Sequence, residues 1–197
     1  MNFPQTKPIK ELDRKHATWL SYAADWNRMN LLYAGGCDIK KEASQFLVKR
    51  PKELDDVYKA RVERFVYANH VGTATDWYLA AQFEKPPRID ASQSAAVPSA
   101  SKSFYEVFLK DSDRAGTSFV DAFVSVFKHI LVYGSSYVLC DLPTRPQEYA
   151  NAAEERAAGQ LDPYICTYDP RQAINWEKDS YGNLKWIVFT VRKIEGL

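Results

Sequence analysis

The chain of 197 residues carries 26 basic and 25 acidic side chains, so its formal net charge at pH 7 is +1. Neutralising phosphates supplies the affinity of proteins that coat nucleic acid, and such proteins usually show a large basic excess. The balanced charge excludes a general basic coat and leaves only a local patch open. Aromatic residues make up 14% of the chain, more than a small core usually needs, which favours rings that cover partner surfaces.

The three cysteines, Cys37, Cys140 and Cys166, are odd in number and widely spaced. No Cys/His spacing typical of structural zinc occurs, so we expect reduced thiols and no metal. No apolar run approaches the roughly 18 to 20 residues of a membrane span, and the first residues lack the apolar stretch of a secretory signal. We expect a soluble protein, in the cytoplasm of whatever cell makes it.

Helical periodicity dominates residues 1–87, which we predict to form a helical region. The first helix is predicted over 9–33, ending at Gly35 and Gly36, with a short helix after Asp38. A longer helical stretch is predicted to begin at Pro51, to divide near Gly72, and to end before two consecutive prolines.

Residues 88–103 are small and polar and are predicted to form a linker. A helix is predicted over 118–133, because Ser118 and Asp121 form a capping box and Gly134 suits the left-handed residue past a helix end. Its wide apolar face predicts the most buried helix of the chain.

Residues 104–197 are predicted to contain this buried helix plus a small β-sheet. Strands are predicted over 136–142, 164–170, 172–177 and 184–193, with a short polar helix between the first two and a hairpin turn at Gly182 and Asn183. The order predicts an α+β fold, in which an N-terminal helical region packs on a small, mostly antiparallel sheet, as one domain overall.

The bend at Gly134, Ser135 and Ser136 raises the question of a nucleophile or a phosphate loop. A hydrolase elbow needs a strand-to-helix turn with a second glycine, whereas this bend runs from helix to strand. A phosphate loop needs a helix N-terminus, and Gly134 follows a C-terminus. A hydrolase using Ser135 or Asp141 is therefore the least favoured hypothesis, and a turn-capping role for Asp141 is preferred.

Other candidate residues have simpler interpretations. His16, His70 and His129 lack a second ligand at metal spacing, so we predict no metal and no cofactor. The basic run of Lys49, Arg50 and Lys52 is a candidate contact to nucleic acid or a partner protein, and it supports an alternative function as a DNA- or motor-binding adaptor. Trp176 and Trp186 flank the predicted hairpin and are expected to pack across its strands.

The order of several motifs resembles one family. These are "NLLYAGG" (30–36), the helix ending in Gly134 that leads into "VLCDLP" (138–143), a Tyr-rich strand, and Ile174-Asn175-Trp176 before a turn with glycine. From about residue 30 to 192 the chain resembles the N-terminal half of tailed-bacteriophage portal proteins, which connect head and tail. Within that family it is most similar to a portal-like phage and prophage subgroup.

The resemblance implies a non-enzymatic structural subunit, and the matched part resembles the outer wing of the portal. Such proteins form rings, usually of about twelve subunits, at one capsid vertex. DNA enters and leaves through the ring, which contacts capsid protein, the terminase motor and neck or tail proteins. The resemblance implies location in the virion, with assembly in the host cytoplasm. Family members continue into stem, clip and crown parts that do not match here, so any contact with double-stranded DNA is expected from those parts. No catalytic residue carries over.

Overall fold

The computed structural model describes residues 13–88, 99–143, 149–157 and 162–191. These residues form an α+β fold with an N-terminal helical region. The helices are α1 (Ala17–Ala34), α2 (Gly36–Lys41), α3 (Asp55–Glu63), α4 (His70–Gln82), α5 (Ser99–Lys110), α6 (Phe119–Tyr133) and α7 (Ala152–Ala157). The strands are β1 (Tyr137–Asp141), β2 (Tyr164–Tyr168), β3 (Ala173–Lys178) and β4 (Leu184–Phe189).

Helix α1 begins at Ala17, later than the predicted start at residue 9, and residues 1–12 lie outside the described part of the chain. The backbone N–H of His16 donates to Ile174 O at 2.9 Å, which holds His16 extended against β3. The His16 ring then caps the helix, because its Nδ1 accepts from the N–H of Thr18 at 3.1 Å. This tertiary hydrogen bond sets the start of α1.

The end of α1 at Gly35 agrees with the prediction. Gly35 has a φ of 63°, and its N–H donates to Leu31 O. Helix α2 follows directly, beginning at Gly36. Asp38 was predicted to precede this helix as its cap, but it lies in the first turn. A carboxylate in the first turn still stabilises a short helix through the helix dipole.

Two predicted positions in the next helical stretch are wrong. Pro51 does not begin a helix: it lies in a turn, and α3 starts at Asp55 after Leu54. The turn is held by the Glu53 carboxylate, which accepts from the N–H of Arg50 at 2.9 Å. The division between α3 and α4 falls at residues 64–69, and Gly72 lies inside α4, buried against the end of α1.

The predicted linker is also too long. Residues 99–103 belong to α5, whereas residues 89–98 lie outside the described part of the chain. Phe104 and Phe108 sit one turn apart on α5, and the ring of Phe108 contacts that of Phe119 on α6 at 5.5 Å between centroids. The contact of Phe108 with Phe119 holds α5 on α6, and such tertiary packing stabilises a helix in a polar sequence.

The two ends of α6 agree with the prediction. The prediction that α6 is the most buried helix is wrong. Ser118 Oγ accepts from the N–H of Asp121 at 3.1 Å, and Gly134 takes the left-handed conformation with a φ of 83°. Within the described part of the chain, Ala122 and Val132 are the buried residues of α6. Four large apolar side chains remain 36–48% exposed: Phe123, Phe127, Ile130 and Leu131. Helices α1, α4 and α5 and strand β2 pack on α6, and they leave these four side chains partly open.

The four strands form two antiparallel pairs instead of one sheet. Strands β1 and β2 pair with Leu139 opposite Cys166, and the short helix α7 lies in the connection between them, as predicted. Strands β3 and β4 form the predicted hairpin: Gly182 has a φ of 86°, and the Asp179 carboxylate accepts from the N–H groups of Tyr181 and Asn183. The rings of Tyr168 and Phe189 stack at 4.2 Å and join the two pairs.

Candidate interaction surfaces

A polar joint fixes the helices on the strands. Asp169 is 8% exposed and lies in the turn between β2 and β3. Its carboxylate accepts three hydrogen bonds from Arg171, from the backbone N–H at 2.8 Å, Nε at 3.1 Å and Nη2 at 2.8 Å. Burial raises the pKa of Asp169, but these hydrogen bonds and the positive charge of Arg171 outweigh it and leave the pKa below its ordinary value.

The same arginine reaches the helices. Its guanidinium lies 4.8 Å from the ring centroid of Tyr133, the last residue of α6, and its carbonyl accepts from Nε1 of Trp19 on α1 at 3.1 Å. The Tyr133 carbonyl accepts from Nε1 of Trp26 at 3.2 Å, and the Tyr133 hydroxyl donates to Oδ1 of Asn30 at 2.8 Å. The joint therefore ties α1, the end of α6 and the β2–β3 turn together. The sequence analysis did not predict this joint.

The bend after α6 brings together a different serine from the predicted one. Ser136, not Ser135, approaches His129, with 3.3 Å between Oγ and Nδ1, and its hydroxyl also donates to Tyr168 O at 3.3 Å. Burial lowers the pKa of His129, and the negative charge of Asp169 opposes this. The Ser136 hydroxyl therefore links His129 on α6 to Tyr168 on β2.

Asp141 lies at the end of β1, where its Oδ1 accepts from the N–H of Leu142 at 2.8 Å. This bond goes to the next residue and not to the N–H two residues on, from which a turn-capping Asp accepts, so the turn-capping role of Asp141 stays a prediction. His16 caps α1, and His70 is the exposed first residue of α4. In the part of the chain that the structure describes, no group of three or more His, Cys, Asp or Glu residues could hold a metal ion.

The basic run of Lys49, Arg50 and Lys52 lies on the turn before α3, where acidic side chains contact it. Lys49 pairs with Asp55, and the carboxylate next to Arg50, that of Glu53, forms a second ion pair with Arg61 at 2.8 Å. Lys52 is exposed and has a φ of 66°. The three cations therefore share one exposed turn, and its positive charge is partly offset by neighbouring carboxylates.

A row of phenylalanine rings runs along α5 and α6. Phe104, Phe108, Phe119 and Phe123 follow one another from α5 to α6 with centroid distances of 5.5, 5.5 and 4.9 Å. Farther along α6, Phe127 meets Phe83, which follows α4, at 5.3 Å. We call these six rings the phenylalanine stripe. The sequence indicated its α6 part by helical spacing, but predicted it as core.

A cleft opens between the start of α1 and the β3–β4 hairpin. It has a volume of about 540 Å³ and is lined by both hairpin tryptophans. These do not face each other in register: Trp176 lies opposite Ile187, and Trp186 lies opposite Glu177 and donates to its carboxylate at 2.8 Å. The Trp176 indole stacks instead on the His16 ring, with 4.1 Å between centroids.

A scan against protein-family models found no match for this chain, and a search among curated proteins found no relative. None of the helices in the described ranges is long and apolar enough to cross a membrane. The fold class is α+β.

Proposed function

We propose that this protein is a structural subunit of a phage portal ring, forming part of its wing at the capsid vertex. There it supports DNA packaging, DNA ejection and the joining of head to tail. Two independent features support the proposal: the order of motifs that resembles portal proteins, and the phenylalanine stripe, in which the Phe123 and Phe127 rings are more than a third exposed. In this role the subunit needs no catalytic residue and no cofactor.

The phenylalanine stripe carries the proposal physically. Phe123 and Phe127 are 40% and 36% exposed, and the next turn adds Ile130 and Leu131 on the same side of α6. A contiguous apolar patch of this kind is typical of a protein–protein interface, and aromatic rings are enriched at such interfaces. We take its occupant to be a neighbouring copy of the same subunit, as in a ring.

The charge balance is compatible with repeated contacts between identical copies. A net charge of +1 on 197 residues gives little long-range repulsion between copies, whereas a strongly charged chain opposes self-association. The other partners proposed are those of a portal: capsid protein, the terminase motor, and neck or tail proteins. The proposed location is the virion, reached by assembly in the host cytoplasm.

The first test changes the stripe. We expect the double variant Phe123→Ser/Phe127→Ser to assemble at least tenfold less readily than the wild type, because about 1.4 kcal/mol of lost apolar contact already corresponds to a tenfold change. Assembly is measured by size-exclusion chromatography with light scattering, and ring formation by electron microscopy. Circular dichroism checks that the variant is folded.

A matched control is Val48→Ser/Val66→Ser, which removes two apolar side chains that are 80% and 87% exposed outside the stripe. This control should assemble like the wild type. A wild-type protein that stays strictly monomeric at high concentration, with no rings, contradicts the proposal, as does a stripe variant that assembles normally. A terminase gene upstream and a capsid gene downstream of this gene would support it independently.

A further inference from the structure

Helix α4 carries a pair of exposed aromatic rings. Trp77 is 64% exposed and Tyr78 is 60% exposed, and their ring centroids lie 5.1 Å apart in an edge-to-face arrangement. The buried residues of this helix are Gly72, Thr75 and Leu79. Because each residue turns an α-helix by about 100°, Trp77, two residues from both Thr75 and Leu79, lies on the opposite side. We call Trp77 and Tyr78 the aromatic pair.

The helix that carries the aromatic pair has little charge. Within α4, which the structure describes throughout, Asp76 is the only Asp, Glu, Lys or Arg residue, and its carboxylate accepts from the Tyr33 hydroxyl at 3.0 Å. The centres of protein–protein interfaces are depleted in charged residues and enriched in Trp and Tyr. Trp and Tyr are also over-represented among the residues that dominate binding energy. The aromatic pair therefore has the composition of an interface centre.

The aromatic pair and the phenylalanine stripe lie on different sides of α4. Phe83, the member of the stripe next to this helix, is four residues after Leu79 and so continues its buried side, where the Phe83 ring meets that of Phe127 on α6. Neither surface includes an Asp, Glu, Lys or Arg residue. These are two distinct, uncharged aromatic surfaces of one subunit.

We propose that the aromatic pair is the surface that receives the phenylalanine stripe of a neighbouring copy. This inference rests on the proposed ring. In a closed ring of more than two identical subunits each interface is heterologous, because two different surfaces of the subunit meet there. The stripe of one copy therefore needs a second surface of matching chemistry, and not another stripe. The rings of Trp77 and Tyr78 provide it, because aromatic rings pack favourably on one another edge to face or offset-stacked.

The first step of the test alters each surface separately. Trp77→Gln/Tyr78→Gln should assemble about tenfold less readily than the wild type, as should the stripe variant defined above, because each loses one half of the same interface. Size-exclusion chromatography with light scattering measures assembly, and circular dichroism checks that each variant is folded. The control Leu20→Gln/Tyr22→Gln removes two apolar side chains of α1 with comparable exposure, 59% and 52%. It should assemble like the wild type.

Mixing the two variants tests whether the two surfaces meet each other. The stripe variant keeps an intact aromatic pair, and the pair variant keeps an intact stripe. One copy of each should therefore join through one restored interface, but the complex should not grow, because both of its outer surfaces are altered. We expect a dimer of about 45 kDa, twice the chain mass of 22.5 kDa, at a concentration at which each variant alone is monomeric. An affinity tag on one variant shows that the dimer contains one copy of each.

The outcomes separate this inference from the proposed function. If the wild type assembles and the stripe variant does not, but the pair variant assembles like the wild type, the aromatic pair is not the partner surface and the ring proposal stands. The inference is also overturned if the mixture stays monomeric, or if the α1 control loses assembly as the pair variant does. A wild type that stays monomeric contradicts the ring itself, and this inference with it.

Discussion

Replacing Asp169 with alanine should lower the free energy of unfolding by about 2 to 3 kcal/mol, the largest effect we expect from one polar side chain. The carboxylate is buried and receives three hydrogen bonds from Arg171. Its removal leaves the guanidinium of Arg171, 29% exposed in its side chain, without its counter-ion beside Tyr133. Urea denaturation at pH 7 measures the difference.

An exposed ion pair provides the matched control. Lys41 and Asp38 are 3.1 Å apart, and their side chains are 72% and 70% exposed. Asp38→Ala should therefore cost no more than about 1 kcal/mol, counting both this exposed ion pair and the carboxylate in the first turn of α2. A cost at Asp169 as small as the cost at Asp38 would show that the joint is not a stabilising element.

The effect of Asp169 should also depend on pH. Because the fold lowers the pKa of Asp169, its ionised form is favoured in the folded protein, and its contribution is fully present above the unfolded pKa of about 3.9. The contribution is lost as the pH falls through the lower, folded pKa. The stabilities of the wild type and of Asp169→Ala should therefore approach each other below about pH 4. A difference that stays constant down to pH 2 contradicts this account.

Gly72→Ala should destabilise the protein by about 2 kcal/mol, although alanine is the better helix former. A Cβ at this position would lie 2.6 Å from Nδ2 of Asn69 and 2.8 Å from the carbonyl oxygen of Tyr33. Asn69 caps α4 and donates to that same carbonyl, so both the cap and the contact with α1 must move. Overpacking of this kind costs about 1 to 3 kcal/mol.

A second substitution on the same helix isolates intrinsic propensity. Ala74 is exposed on α4, and Ala74→Gly should cost about 1 kcal/mol through propensity alone. Gly72→Ala raises helix propensity and Ala74→Gly lowers it. If the steric contacts at Gly72 outweigh propensity, both substitutions lower the free energy of unfolding. If Gly72→Ala is more stable than the wild type in thermal denaturation, the Tyr33 carbonyl and the Asn69 side chain move aside at little energetic cost.

Features that depend on neighbours in sequence were predicted well. The cap at Ser118, the glycines of positive φ at Gly35 and Gly134, and the hairpin turn at Gly182 all appear where local chemistry placed them. Each requires only a side chain near its own backbone or a glycine at a positive φ, and the α+β order follows from the same local patterns.

Features that depend on distant residues were missed. The start of α1 is set by a bond to Ile174, and the end of the predicted linker by the rings of α6. The cleft joins the beginning of the described chain to its end. Ser136 instead of Ser135 meets His129, and its hydroxyl also donates to Tyr168 O on β2. No local pattern encodes such encounters.

The amino-acid sequence by itself determined the α+β order of elements, the caps and turns that bound α6 and the hairpin, and the amphipathic character of α6. Only the tertiary structure decided that the apolar face of α6 is not core. Helical spacing shows that a face is apolar, but its burial depends on how many elements pack against it, and here α1, α4, α5 and β2 leave Phe123 and Phe127 over a third exposed.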